Sequence, residues 1–273
     1  MRRGEFELIK CRNCGLIFQY PLQPKAKYFE QIQKHYREVD PTFKVAYSRG
    51  MLYSKVLRKI QNLKGKDSRL LDVGCSWGYF LILAGKAGWK AWGIELNPVL
   101  AKMGQEDYGL DIRSADFEEA DVERSHYEVM TLINVFEEVT HLSACLEKLK
   151  ECLKPGGTLY IRFHNAEFNY LMYKVEKTLA RLGLVRLLPY HSYVFHIANF
   201  SKKTIGILMK KSGFQNIKIT NSYPSLGDPY GAGKGVKWLK IISFLLAQGL
   251  FFLSAKTLML APSIEVFAKN GQD

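Results

Sequence analysis

The sequence predicts an α/β domain in which seven strands form a mostly parallel sheet with helices on both faces. Three observations carry that prediction. Short apolar runs alternate with helical segments from about residue 69 onward, a glycine-containing turn joins the first run to the first segment, and capping residues stand where helices should begin.

In chain order, strands are read at 69–73, 91–95, 111–114, 127–133, 157–163, 214–220 and 263–268. Helices fall near 78–87, 98–108, 142–153 and 201–212. Asn97 followed by Pro98 supplies an N-cap and a proline at the first helical position, and Ser201 caps the last of these helices. Upstream, helices are expected near 25–38 and 46–63, the second because Leu52, Val56, Leu57 and Ile60 recur at helical spacing. Residues 1–64 thus read as a Cys-x-x-Cys turn with a helical extension, and residues 65–273 as the main domain with insertions at about 166–199 and 222–262. In the first insertion Leu171, Val175, Leu179 and Leu182 share one helical face, Lys174, Lys177 and Arg181 lie on another, and Gly183 reads as the stop. The second opens with a glycine-rich loop and runs on through 236–261.

With 273 residues, 47% of them hydrophobic, the chain can bury one large core with appendages. Five cysteines in a chain of this size do not suggest a disulfide framework, and the polar opening does not resemble a signal peptide. The expected location is the reducing cytoplasm. The net charge of +13 is uneven: residues 1–60 hold 13 Lys and Arg against 5 Asp and Glu, residues 61–153 hold 10 against 16, and residues 154–273 hold 16 against 5. The basic charge therefore flanks the middle of the chain, where it would attract anionic partners such as a nucleotide-sugar, an anionic membrane or a nucleic acid.

Residues 69–80 are the most informative stretch. Leu70, Leu71 and Val73 make a strand, Gly74 to Gly78 a small-residue turn, and a helix begins at Tyr79. Such a turn brings backbone N–H groups close to a polar ligand. Asp72 ends the strand, where its carboxylate can meet a ligand cation. Glu95, seventeen residues past Gly78, ends the next strand and is placed to take the two hydroxyls of a ribose. The dinucleotide pattern G-x-G-x-x-G is absent, and an acid before the turn suits a cation better than a pyrophosphate. S-adenosylmethionine, with an ammonium, a sulfonium and no phosphate, fits that requirement.

The stretches Leu70-Leu-Asp-Val-Gly-Cys-Ser-Trp-Gly78, Gly93-Ile-Glu-Leu-Asn-Pro98, Ser114-Ala-Asp-Phe117, Asn134-Val-Phe-Glu-Glu-Val139 and Leu153-Lys-Pro-Gly-Gly157 resemble, in order and spacing, a class I S-adenosylmethionine-dependent methyltransferase of the ubiquinone-biosynthesis and small-molecule group. The resemblance implies a Rossmann-like fold with an antiparallel terminal strand beside the sixth. It also implies S-adenosyl-L-methionine as cofactor. Asp72 and Gly74 would hold its amino-acid end, with Cys75 and Gly78 also binding the cofactor, Glu95 would take the ribose, Asp116 and Phe117 the adenine, while Asn134 would sit near the sulfonium methyl. Two departures stand out: relatives usually carry glycine where Ser76 stands, and often Glu-His where this chain has Glu137-Glu138.

On the acceptor side the resemblance points to His164 and Asn165 as pocket residues and to His196 as a general base, with a packed or surface histidine as the alternative. Cys11 and Cys14 resemble half of a zinc ribbon; structural zinc wants four ligands, so no metal site is expected beyond this remnant. The acceptor would be a small or lipid-linked metabolite, such as a sugar of a surface polysaccharide. A non-catalytic cofactor-binding module docked to a membrane or protein partner is the alternative. A nucleic-acid acceptor is not expected, because Asn134-Val-Phe-Glu lacks the paired prolines of many base methyltransferases. The uncharged run 241–255 is 15 residues, shorter than the roughly 20 that a span needs. Lys240, Ser243, Ala247 and Ser254 form one narrow stripe there and leave a broad apolar face. Residues 236–261 are therefore expected on a membrane surface, peripheral at its inner face, with a dimer interface or packing on the sheet as rivals. Oligomeric state is not legible.

Overall fold

The computed structural model describes residues 2–3, 6–22, 49–63, 68–183, 196–226 and 234–271. The helix expected near 25–38 and most of the glycine-rich loop of the second insertion lie outside them.

A seven-stranded sheet forms the centre, in the order β10-β11-β8-β7-β4-β5-β6. Its strands are β4 (Arg69–Val73), β5 (Lys90–Glu95), β6 (Ile112–Ser114), β7 (Tyr127–Ile133), β8 (Leu153–His164), β10 (Phe214–Asn221) and β11 (Ser263–Asn270). Strands β4 to β8 pair in parallel, whereas β11 runs antiparallel to both β8 and β10, as expected of the terminal strand. Strand β7 is buried along nearly its whole length, the pattern of a parallel strand covered on both faces. Strand β8 begins earlier than its apolar pattern suggests. Tyr127 pairs with Leu153 and Val129 with Thr158, and the intervening shift absorbs Pro155, Gly156 and Gly157 as an irregularity.

Helices α1 (Gly50–Gln61), α2 (Tyr79–Lys86), α3 (Pro98–Tyr108), α4 (Leu142–Cys152), α5 (Ala166–Arg181), α6 (Lys202–Lys211) and α7 (Lys234–Leu253) accompany the sheet. The caps act as their sequence implies: Asn97 Oδ1 accepts from Val99 N at 2.9 Å, and Ser201 Oγ accepts from Thr204 N at 3.2 Å. Helix α1 buries Leu52, Tyr53, Val56, Leu57 and Ile60 in the same cluster as Phe80 and Leu81 of α2. Its Lys59 pairs with Glu265, a carboxylate buried in β11 that also accepts from Tyr160 Oη and Thr220 Oγ1. Among the described residues, no helix is long and apolar enough to cross a membrane.

A second sheet was not anticipated. Strands β1 (Arg2–Arg3), β2 (Phe6–Lys10) and β3 (Ile17–Tyr20) form an antiparallel meander that is completed by β9 (Ala198–Asn199) from the first insertion. The Cys11–Gly15 turn joins β2 to β3, with Gly15 N donating to Cys11 O and Cys11 N to Leu16 O. Asn199 Nδ2 donates to Ile17 O at 3.2 Å and Thr204 Oγ1 to Cys14 O at 3.3 Å, which ties the N-terminal strands to the main domain.

Arg162 binds the main sheet together from inside. It is 1% exposed, yet every nitrogen of its guanidinium is used: Nε donates to Ser222 Oγ (3.0 Å), Nη2 to Ser263 Oγ (3.0 Å) and Tyr223 O (3.2 Å), and Nη1 to Asn134 Oδ1. One side chain on β8 thereby links β7 to the segments that flank β10 and β11. Arg162→Ala should strand four acceptors and open a cavity, lowering unfolding free energy by about 3–5 kcal/mol. Urea denaturation of both proteins measures that difference.

Candidate active site

The carboxyl ends of the parallel strands collect the polar residues. Asp72 lies near the end of β4, Glu95 ends β5, Asn134 follows β7 and His164 ends β8. The turn after β4 needs unusual backbone geometry. Gly74 has φ +75°, and a Cβ there would stand 2.3 Å from Val135 Cγ2; Gly78 has φ +86°, with Leu110 Cδ1 at 2.3 Å from a built Cβ. Ser76 also adopts a left-handed φ of +55°, at a cost of about 1–2 kcal/mol for a residue with a Cβ. That geometry explains the glycine usual there in relatives. Beneath the turn, Trp77 is fully buried and stacks on Tyr79 and Tyr108 at centroid distances of 5.5 and 5.0 Å.

Glu95 is locked to this turn: its Oε2 accepts from Ser76 N and its Oε1 from Asn97 N, both at 2.8 Å. Burial raises its pKa, with the N–H donors pulling the other way. Asp72 is 4% exposed and accepts from Thr131 Oγ1 at 2.6 Å. Burial outweighs that bond and, with the nearby Glu95 charge, pushes its pKa up to about 7. A buried acid held so close to its own protonation gains most from a cationic ligand. Cys75, buried beside both carboxylates, has its thiol pKa pushed well up and is not a nucleophile.

Asp116 follows β6 and closes a turn through Glu118 N, which donates to its Oδ1 at 2.9 Å. The ring of Phe117, expected against an adenine, is 7% exposed and packed in the main core, with Lys148 Nζ 5.2 Å from its centroid. Asn165 also differs from expectation. It is fully buried, its Oδ1 capping α5 through Glu167 N and its Nδ2 donating to Met259 O and Ala261 O, so its polar atoms are occupied in holding the two insertions together.

His164 and His196 do meet. Their rings stack with centroids 4.9 Å apart and planes 19° apart. Between them stands Glu137, 2% exposed, from the 3-10 turn Phe136–Glu138. Its Oε1 lies 2.6 Å from His164 Nδ1 and 3.5 Å from His196 Nε2, while His196 Nδ1 is hydrogen-bonded to Glu138. Burial pulls the His196 pKa down, but Glu138 and Glu137 outweigh it and push it up to about 9. Burial lowers that of His164, with Glu137 opposing. At neutral pH His196 thus holds its proton, which does not suit the base role expected of it, and His164 is the neutral imidazole. Burial raises the Glu137 pKa, but the two histidines and Arg162 win and keep it ionised. Arg162, Glu137 and Glu138 were missed as site residues. A lone arginine within the apolar β8 run, and glutamate in place of histidine at 138, were the available signals.

The methyltransferase-domain family matches residues 43–219 of the sequence. A ubiquinone biosynthesis O-methyltransferase of Nitrosococcus oceani is 26% identical over 177 residues, covering 62% of this chain and 72% of that protein. A phosphoethanolamine N-methyltransferase of Haemonchus contortus, solved with S-adenosyl-L-methionine, superposes with a TM-score of 0.60 at 13% identity, over 94% of this chain and 62% of its own. An S-adenosylmethionine-dependent methyltransferase of Archaeoglobus fulgidus gives a TM-score of 0.54 at 18% identity, over 89% and 99%. With these likenesses, the order of the sheet and the strand-end acids agree on one conclusion: the chain belongs to the methyltransferase-domain family and is a class I methyltransferase that uses S-adenosyl-L-methionine.

Proposed function

We propose that this enzyme methylates an oxygen of an amphipathic small molecule, a lipid-linked metabolite or a lipid-carried sugar of a surface polysaccharide, at a membrane surface. The observation that carries this reading is the apolar face of α7. Trp238, Leu245, Leu246 and Phe252 are each 60–64% exposed and Leu253 is 86% exposed. Within the helix Ala247 faces inward and is buried, and neighbouring Gln248 accepts from Asn221 Nδ2 at 2.9 Å. Buried Phe251 anchors the same helix. Helix α7 leaves the sheet after Asn221, at the edge that carries Asn134 and His164, and α5 leaves it just after His164. Helix α5 adds exposed Tyr170, Leu171 and Leu182 beside Lys174, Lys177 and Arg181. An apolar face set in a basic half-chain matches an anionic bilayer better than water. The N. oceani relative, an O-methyltransferase of ubiquinone biosynthesis, supports an oxygen acceptor.

In this reading Asp72 faces the cofactor's cationic amino-acid end, Glu95 takes the ribose hydroxyls, Asp116 meets the adenine amine and Asn134 lies near the methyl. Methyl transfer is an in-line displacement: the acceptor oxygen forms the new C–O bond while the C–S bond pair returns to sulfur. The hydroxyl proton leaves toward the Glu137–His164–His196 cluster. Alignment does most of the work, contributing up to roughly 7–11 kcal/mol when fully exploited.

Glu95→Ala should weaken binding of S-adenosylhomocysteine by about 1–3 kcal/mol, read by calorimetry; equal affinity would remove the ribose assignment. Asp72 binds a cation only when ionised, so affinity for S-adenosylmethionine should hold above pH 7 and fall as the pH drops through about 7. Asp72→Asn should flatten that dependence, and an unchanged slope would place the titrating group elsewhere. Flotation with anionic liposomes tests the surface: binding should weaken with salt and fall at least tenfold when Leu245, Leu246 and Phe252 are changed to Ser. A dimer indifferent to liposomes would refute the membrane reading.

A further inference from the structure

We propose that Glu137, His164 and His196 form a site for one divalent transition metal, zinc-like in its ligands, at the acceptor end of the active site. It deepens the reading above, since the metal would bind the acceptor oxygen. The three residues come from separate segments: the turn after β7, the end of β8 and the entry to β9. Each offers a ligand atom, and these atoms all lie within 4.8 Å of one another.

Two features show a site built for a ligand. First, Glu137 is 98% buried, taking its exposure as 2%, and its Oε2 has no hydrogen-bond partner; neither has the buried His196 Nε2. Buried polar atoms are nearly always satisfied, because leaving one unpaired costs about 1–3 kcal/mol. A cation between the carboxylate and the imidazole satisfies both. Second, His196 Nδ1 is bonded to Glu138. When a metal displaces the second proton of His196, a carboxylate on the far nitrogen fixes the tautomer that turns the other nitrogen's lone pair to the ion.

The distances suit the ion. Tetrahedral zinc with bonds of about 2.0–2.1 Å sets its ligand atoms roughly 3.3–3.4 Å apart. His196 Nε2 already stands 3.5 Å from Glu137 Oε1. His164 Nδ1 lies 2.6 Å from the same oxygen, a hydrogen bond that would open when metal replaces the shared proton. Two carboxylates at the site favour a dication; Arg162 opposes it, but its hydrogen bonds run to Asn134, Ser222, Ser263 and Tyr223 and none to this cluster. Two histidines and one carboxylate leave a fourth position open, the arrangement of catalytic zinc. With the metal bound, an alcohol or phenol oxygen there would lose its proton to solvent water more readily, the three ligands being occupied, and be held for attack on the methyl.

The test uses the full chain with Cys11→Ser and Cys14→Ser, which removes the other soft ligand pair. Zinc is titrated against a chromophoric chelator, and cobalt(II) is added to read coordination from its visible bands. One metal per chain is expected, with tetrahedral-type cobalt bands lacking thiolate charge transfer. Affinity should fall at least tenfold in His164→Ala and in Glu137→Gln, and about 10–100-fold in Glu138→Gln. Should Glu137→Gln fail to fold, the partly exposed His164→Ala carries the decision. No metal at micromolar zinc, or an affinity that none of the variants changes, overturns the site. Cofactor affinity, measured separately, tells a failed metal site from a failed methyltransferase reading.

Discussion

A parallel sheet covered on both faces leaves charged groups one place to stand, its carboxyl edge. The centre of this sheet is filled mostly by apolar side chains, and Asp72, Glu95, Asn134, Glu137 and His164 stand at or just past the ends of β4, β5, β7 and β8. Their partners differ: Asp72 accepts from Thr131 Oγ1, Asn134 from Arg162, and His164 meets Glu137. Glu95 shows the consequence most plainly, because its two backbone donors fix it to the turn after β4. The left-handed residues of that turn are strained only in this sense: the chain must pass close to Val135 and Leu110 to keep the carboxylate and the ligand space together.

Arg162 on β8 is an exception to that rule, as Glu265 on β11 is, and both are held inside the sheet by their partners. A guanidinium inside the sheet survives because four of its five donors find hydroxyl, carbonyl and amide oxygens. It also sets Asn134, whose φ of +59° asparagine tolerates better than most residues. Beside it stands Glu138, at a position where the resemblance of the motif leads one to expect histidine in many members. The extra carboxylate recruits His196 from the first insertion, and the two glutamates with two histidines make one coupled unit. The insertions therefore reach into the chemistry as well as around it.

The main sheet was legible because its signals are local. Apolar runs of the right length, the proline after Asn97 and the serine at 201 each state one boundary, and strand-end acids are visible at fixed spacing. What failed depends on pairing over long distances. Residues 6–10 and 17–20 carry ordinary strand patterns, but β9 completes their sheet from nearly 180 residues away. Asn165 looked like a pocket residue, and its cap and the carbonyls of Met259 and Ala261 consume it; no local pattern reveals such partners. His196 was found by position, but its protonation depends on two carboxylates some 58 residues earlier in the chain.

The account rests on one spatial claim, that a single edge of the sheet holds the cofactor and aims its methyl group at the Glu137–His164–His196 cluster. A crystal structure of the protein with S-adenosylhomocysteine tests it directly. The account predicts a ribose on Glu95, an amino group beside Asp72, and a sulfur between Asn134 and the two stacked imidazoles. A nucleoside bound away from Glu95, or a sulfur directed away from that cluster, would contradict it.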